Sequence, residues 1–260
     1  MEQHLDFARN IASQAGDIML KHFKVGVLST EKSDLTIVTE ADKEINDLII
    51  SEVNKNFPNH SVYGEEKSVN KKSTDVWLCD PVDGTVPFSK GLPISVFSLA
   101  YVKDGVPLVG VVYDPFTKRM YSAIKGEGAY LNDKLIRVSD KKLDYKATID
   151  IEWWPEAKYD IDSAGHKLSL NTGTYVLHLG SIIAASCMVA SGQYEACLFA
   201  GTTGKSVDMA AVKVIVEEAG GIVTDIFGND QKYHEDIEGA IISNGLIHDE
   251  LKTYLQNSGI

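Results

Sequence analysis

The hydrophobic period of this chain changes twice, and that succession restricts its fold more than any other feature. Leu5, Ala8, Ala12, Ala15 and Met19 recur three or four residues apart, so residues 3–23 are predicted to form an amphipathic helix. Ala41, Ile45, Leu48, Ile49 and Val53 give a second helix over residues 40–55. The period then drops to two. Residues 61–64, 76–79, 95–102 and 106–113 are predicted strands, with "KDG" (103–105) as a hairpin turn. A meander continues through 120–124, 128–131 and 135–138, turned by "KGEG" (125–128) and "LND" (131–133). Beyond residue 145 strands and helices alternate: strand 146–151, an unassigned stretch 152–171, strand 174–178, helix 181–192, strand 194–199 and helix 207–219. The pair Gly220–Gly221 stops that helix, and strands 222–225 and 239–243 and helix 246–256 follow. An α+β half over 1–144 joined without a linker to an α/β half over 145–260 predicts stacked helix and sheet layers in one compact unit.

Composition sets limits on partners. With 25 Lys+Arg against 37 Asp+Glu the formal net charge is −12, and no basic stretch offsets it. That argues against a nucleic acid polymer or an anionic membrane as the main partner. A hydrophobic fraction of 44% is that of an ordinary globular chain. Cys79, Cys187 and Cys197 lie in apolar runs without CxxC spacing and read as small buried hydrophobes of a reducing compartment. No basic and apolar leader opens "MEQHLDFARN", and no apolar run reaches the roughly 18 residues of a membrane span. A cytoplasmic protein is expected.

Carboxylates fall at four places where strands end or helices begin. Asp42 opens the second helix, Glu65 and Glu66 follow a strand in "VYGEE", Asp80 and Asp83 lie in "DPVDGT", and Asp208 starts a helix in "GKSVDMAA". In a layered fold such positions project into a shared cleft. A set of hard oxygen donors without His or Cys suits Mg²⁺ far better than Zn²⁺. Each element alone has a plain structural reading: "GEE" as a solvated turn, "DPVDG" as a Pro/Asp-Gly turn, Asp42 and Asp208 as helix-start acids.

Their order is what resembles a family. "DPVDGTVPF" resembles the first signature of the inositol monophosphatase family, and "VDMAAVKVIVEEAGG" resembles the second. "EKSDLTIVTEAD" and "VYGEE" are similar to the two stretches preceding the first signature, so the likeness runs from about Lys32 to Asp225. It implies an α+β fold, a layered αβαβα sandwich of the inositol monophosphatase/fructose-1,6-bisphosphatase type. It implies metal-binding roles for Glu65, Asp80, Asp83 and Asp208 and for the Val82 carbonyl, with two or three Mg²⁺ per site and Mn²⁺ as a substitute. Asp42 and Thr85, with Glu65, match positions that hold and activate the attacking water. Gly84, Thr85, Gly180, Ser181 and Asp208 match positions that bind phosphate or line the substrate pocket. A homodimer is implied as well.

Departures from the pattern bear on substrate. Pro87 stands where the family usually has Asn, which the first turn of a helix tolerates, and Val207 replaces the usual Trp. Segment 199–206, "FAGTTGKS", lacks the Glu that contacts inositol hydroxyls in animal enzymes, and "VLHLGSIIAA" (176–185) lacks a frequent Arg. The reading is therefore a Mg²⁺-dependent phosphomonoesterase of broad specificity for small phosphorylated polyols or sugars. Fructose-1,6-bisphosphatase, 3′(2′),5′-bisphosphate nucleotidase and histidinol-phosphatase are alternatives, as is a non-catalytic metal-binding relative. "KSVNKKS" (67–73) reads as a flap beside Glu65, Lys205 as a partner of phosphate or of a neighbouring acid, and Trp153–Trp154 as core, pocket mouth or subunit contact. His166, His178 and His234 show no metal-ligand spacing or acidic partner.

Overall fold

The computed structural model describes residues 1–24, 29–31, 37–154, 156–202 and 205–260, with backbone alone at 29–31 and 37. Part of the "EKSDLTIVTEAD" stretch (32–36), Pro155, Thr203 and Gly204 lie outside the described residues. Helix α1 (Glu2–His22) is followed by the short antiparallel pair β1 (Ser29–Glu31) and β2 (Ile37–Thr39), then by α2 (Glu40–Asn56). Next come β3 (Ser61–Gly64), β4 (Ser68–Val69), β5 (Asp75–Asp83), α3 (Thr85–Ser89), β6 (Val96–Lys103), β7 (Val106–Asp114), β8 (Arg119–Ile124), β9 (Ala129–Leu131) and β10 (Lys134–Leu135). The remainder is β11 (Thr148–Ile151), α4 (Ile161–Thr172), β12 (Tyr175–Leu177), α5 (Ile182–Ala190), β13 (Ala196–Ala200), α6 (Ser206–Glu218), β14 (Ile222–Thr224), β15 (Gly239–Ser243) and α7 (His248–Asn257).

Strand alternation sorts these elements into layers. An eight-stranded sheet runs β10-β9-β8-β7-β6-β5-β3-β4, antiparallel except where β3 lies parallel to β5. On β5, Trp77 and Cys79 face α1 and α2 and share a core with Ala8, Ile11, Ala15, Ile45 and Ile49. Val76 and Leu78 point the opposite way, into a core built from α5 and α6. That second core also takes Cys197, Phe199 and Ile242 from a five-stranded sheet ordered β12-β11-β13-β15-β14. The other face of this sheet, with Ile149, Ile151, Leu198 and Ile241, packs on α4 and α7. The stack is αβαβα, as the resemblance implied.

Three expectations change for physical reasons. The strand expected over 135–138 stops at Leu135, because the chain leaves the sheet edge and Val138 donates its N–H to the Ala219 carbonyl at the end of α6 (3.1 Å). The unassigned stretch contains α4, whose inward face is only Ile161, Ala164, Gly165 and Leu168; its start is the Asp160 carboxylate accepting from the Ser163 N–H (3.0 Å), and its stop is Gly173 at φ 76°. The expected flap carries β4, paired with β3, and two of its three lysines turn to α2: Lys67 Nζ lies 2.7 Å from Asp47, and Lys71 Nζ donates to Asn54 Oδ1 at 2.5 Å.

Candidate active site

The strand β5 runs on through "DPVD" instead of ending before it, and that extension builds the site. Asp80 follows Leu78 on the face turned toward α5 and α6. Strict alternation would send Asp83, three residues later, to the opposite face. Between them the register against β6 slips, with Asp80 opposite Ser98 and Asp83 opposite Val96, so one extra residue is accommodated as a bulge. Pro81, which has no N–H to give a neighbouring strand, sits in that bulge. Both carboxylates consequently face the same way. The Asp80 Oδ1 accepts from the Val82 N–H (3.0 Å) and fixes the bulge from within.

Neighbouring elements bring the rest. The parallel register of β3 with β5 pairs Gly64 with Cys79, and the Glu65 N–H donates to the Cys79 carbonyl (3.2 Å), so Glu65 leaves its strand beside Asp80. Asp208 sits in the first turn of α6, which packs across β5, β6 and β7. Asp42 stands in the first turn of α2, where its Oδ2 accepts from the Thr39 N–H (2.8 Å) and hydroxyl (2.5 Å). Its Oδ1 is buried without a hydrogen-bond partner among the described residues. Oxygens of Asp42, Glu65 and Glu66 lie within 4.8 Å of one another. Gly84, at φ 82°, turns the chain from β5 into α3, and a Cβ there would sit 3.0 Å from the Gly180 carbonyl oxygen. Thr85 opens α3 and donates its hydroxyl hydrogen to the Val82 carbonyl (3.0 Å). Pro87 is accommodated in the same short helix.

Two residues singled out in the sequence take definite partners. Ser181 is 1% exposed, and its hydroxyl donates to Asp83 Oδ2 at 2.5 Å, next to the Ile183 N–H at 2.8 Å. It touches the carboxylate that the resemblance makes a metal ligand. Lys205 pairs with an acid: its Nζ is 3.0 Å from Asp208 Oδ2 and 4.3 Å from the centre of the Trp154 ring. Trp154 in turn meets Phe199 edge-on, while Trp153 is half-exposed. His178 and His234 do find acids, Asp162 at 3.1 Å and Glu235 at 3.4 Å, though among the described residues no metal-ligand set forms around either. Glu66, named with Glu65 in the sequence but given no role there, joins the oxygen cluster, and the buried pair Asp150 and Glu152 was missed altogether. The latter had a signal: two acids at alternate positions of an otherwise apolar strand, hence on one face.

The electrostatics are those of a site made for cations. Burial, then the charges of Glu65, Asp208 and Asp83, push the Asp80 carboxyl far above the usual carboxylate range. Burial and Asp208 raise Asp83 to about 7 in spite of its two donors. Burial also raises Asp42 to about 7, and raises Asp208 although Lys205 pulls the other way. Burial alone would depress the Lys205 ammonium, but Asp208 reverses the direction and keeps it charged. Among the described residues Lys205 is paired with Asp208, and one lysine does not balance Asp42, Asp80, Asp83 and Asp208 together. They keep protons or take up divalent cations, and hard oxygen donors with an unpartnered Asp42 oxygen fit Mg²⁺-type ions.

A layered αβαβα fold with a buried carboxylate cleft where its layers meet is an architecture found in phosphatases. A solved structure of an IMPase from Thermotoga maritima superposes with a TM-score of 0.88 at 30% identity, covering 98% of this chain and 97% of that one. The fructose-1,6-bisphosphatase/inositol-1-monophosphatase of Thermotoga maritima is 33% identical over 251 residues, 95% of this chain and 93% of the relative. Inositol monophosphatase 1 of Solanum lycopersicum is 33% identical over 246 residues, 88% and 87% of the two chains. The model of the inositol monophosphatase family matches residues 1–259, and the chain belongs to that family. Family membership supports a phosphoric monoester hydrolase with a metal-holding acidic site and a small phosphorylated substrate. Among the described residues no helix is long and apolar enough to cross a membrane.

Proposed function

We propose that this chain is a Mg²⁺-dependent phosphomonoesterase of inositol-monophosphatase type that hydrolyses several small phosphorylated polyols or sugars. The observation carrying this reading is the β5 bulge, which turns Asp80 and Asp83 to one side beside Glu65 and Asp208. Glu65, Asp80, Asp83, Asp208 and the Val82 carbonyl would hold the ions, with Asp42 at a further, weaker position. Bound Mg²⁺ would lower the pKa of water, screen the phosphate dianion and offset charge on the departing oxygen. The protein does the rest. Thr85 has given its only hydroxyl hydrogen to the Val82 carbonyl, so its oxygen lone pairs are free to accept from the attacking water. Asp42 and Glu65 stand on the basic side of that water. The amides of Gly84 and Thr85 meet the phosphate oxygens. Water adds to phosphorus, the P–O ester bond breaks, and the alkoxide leaves as an alcohol after taking a proton.

Broad specificity follows from segment 199–206, which offers Thr202 and Ser206 but no carboxylate for polyol hydroxyls. The test is phosphate release with and without Mg²⁺ from inositol phosphates, fructose 1,6-bisphosphate, adenosine 3′,5′-bisphosphate and histidinol phosphate. Hydrolysis of several polyol and sugar phosphates within about tenfold in kcat/KM, a gap of about 1.4 kcal/mol, is expected. Absence of Mg²⁺-dependent release from all of them, or undiminished release by Asp83→Asn, would overturn the assignment. The homodimer and cytoplasmic location belong to the same proposal, the first checked by sedimentation and the second by fractionating cells.

A further inference from the structure

Asp150 and Glu152 are two residues apart and point from β11 to the side opposite Ile149 and Ile151, which are in the α4–α7 core. Asp150 is fully buried and Glu152 nearly so. Neither matches a family motif quoted above, and neither is a metal ligand. Both are bound to the turn that precedes α5. The Asp150 Oδ1 accepts from the Leu179 N–H (2.9 Å), and the Glu152 Oε1 accepts from the Gly180 N–H (2.5 Å). The next residue is Ser181, whose hydroxyl holds Asp83. Two buried acids therefore fix, through consecutive backbone amides, the turn that presents Ser181 to the candidate metal site.

Burial first, and then the neighbouring Glu152, raise Asp150 to about 8, and burial raises Glu152 as well. The polar surroundings supply little positive charge. On β13 the Cys197 thiol is 3.6 Å from Asp150 Oδ2, and Tyr194 lies just before that strand. From the turn side, His178 is bonded through Nδ1 to the Ile151 carbonyl (2.6 Å) and through Nε2 to Asp162 on α4 (3.1 Å). From α5 the group near Cys197 is the Ser186 hydroxyl, which does not titrate.

We propose that Asp150 and Glu152 act together as positioning residues, clamping the 179–181 turn so that Ser181 keeps Asp83 oriented toward the metal. The proposal rests on Asp83 being a ligand, the reading above, but its test does not require turnover. Mg²⁺ binding is measured by calorimetry on the whole chain for the wild type, Glu152→Ala and Glu152→Gln. In the glutamine variant the side-chain carbonyl still accepts from Gly180. Glu152→Ala is expected to lose about 10–100-fold in Mg²⁺ affinity, the usual effect of removing an outer partner of a metal ligand. Glu152→Gln is expected to recover most of that loss.

Equal losses in both variants would refute the clamp, because the glutamine keeps the acceptor for Gly180. A lowered melting temperature in Glu152→Ala with Mg²⁺ affinity unchanged would reduce the pair to a structural support and refute the proposal. If the alanine variant does not fold, Asp150→Asn against Asp150→Ala repeats the comparison at the Leu179 N–H, with the asparagine expected to bind Mg²⁺ more tightly than the alanine and equal affinities refuting the clamp. Failure of the phosphatase reading would be distinct: wild-type protein that binds Mg²⁺ as described but releases no phosphate.

Discussion

Ser181→Ala separates two roles for one hydroxyl. The sequence comparison places Ser181 along the substrate pocket, whereas its oxygen lies 2.5 Å from Asp83 Oδ2 at a site 1% exposed. A buried hydrogen bond to a charged acceptor contributes about 1.5–3 kcal/mol. The Ile183 N–H, 2.8 Å from the same oxygen, remains in the variant and steadies the carboxylate, so the lower half of that range applies. At about 1.4 kcal/mol per tenfold, Mg²⁺ should bind roughly 10–40-fold more weakly. Ser181 also caps α5 by accepting from the Ala184 N–H (3.2 Å), and loss of a cap costs about 1 kcal/mol. In a chain of this size that lowers the melting temperature by about 2–4 °C. The assay is a calorimetric Mg²⁺ titration together with kcat and KM at increasing Mg²⁺. Raising Mg²⁺ should restore most of kcat with KM little changed, and Ser181→Thr, which keeps both the hydroxyl and the cap, should remain near wild type. Unaltered Mg²⁺ affinity with a raised KM would put Ser181 on the substrate and refute the argument.

Other expected outcomes can be checked directly. Thr85→Ala should lower kcat by roughly 10²-fold or more with KM nearly constant, because the hydroxyl is assigned to the attacking water; a change in KM alone would move it to substrate binding. Gly84→Ala should cost about 1–3 kcal/mol in chemical denaturation and most of the activity, since φ 82° disfavours a Cβ and the Gly180 carbonyl is 3.0 Å from it. Asp42 and Asp83 are both raised to about 7, so without metal the native state holds protons that the unfolded chain releases between about pH 4 and pH 7. The contribution of these two acids to stability therefore declines as pH climbs through that window. Mg²⁺ must displace those protons, so the rise in melting temperature it gives should grow as pH passes 7. An increment independent of pH from 5 to 8 would contradict this.

Much of the fold was legible because its information is local. Apolar spacing at three and four marks α1 and α2, alternation marks the strands on either side of "KDG", and Asp104 and Gly105 take the left-handed conformations that such a hairpin turn requires. Where local signals were weak, the reading missed: α4 buries a narrow face, and beyond Ile136, which still donates to the Ala129 carbonyl of β9, residues 137–138 are held by the end of α6. The acids of the site were also legible one by one, from the order of motifs that the family shares.

What the sequence could not say is how those acids face one another, because spacing along a strand does not determine direction once the strand bulges. On parity alone Asp80 and Asp83 diverge, and only the slip against β6 turns them together. Lys205 had two plausible partners until α6 settled within 3.0 Å of one of them at Asp208. Ser181, 98 residues from Asp83, became its hydrogen-bond donor through the packing of α5 against β5, and Asp150 and Glu152 acquired a task only once that turn lay over β11. Residue types and local periods are written in the chain, while the contacts that make carboxylates into a site arise when layers distant in sequence close over the same few ångströms.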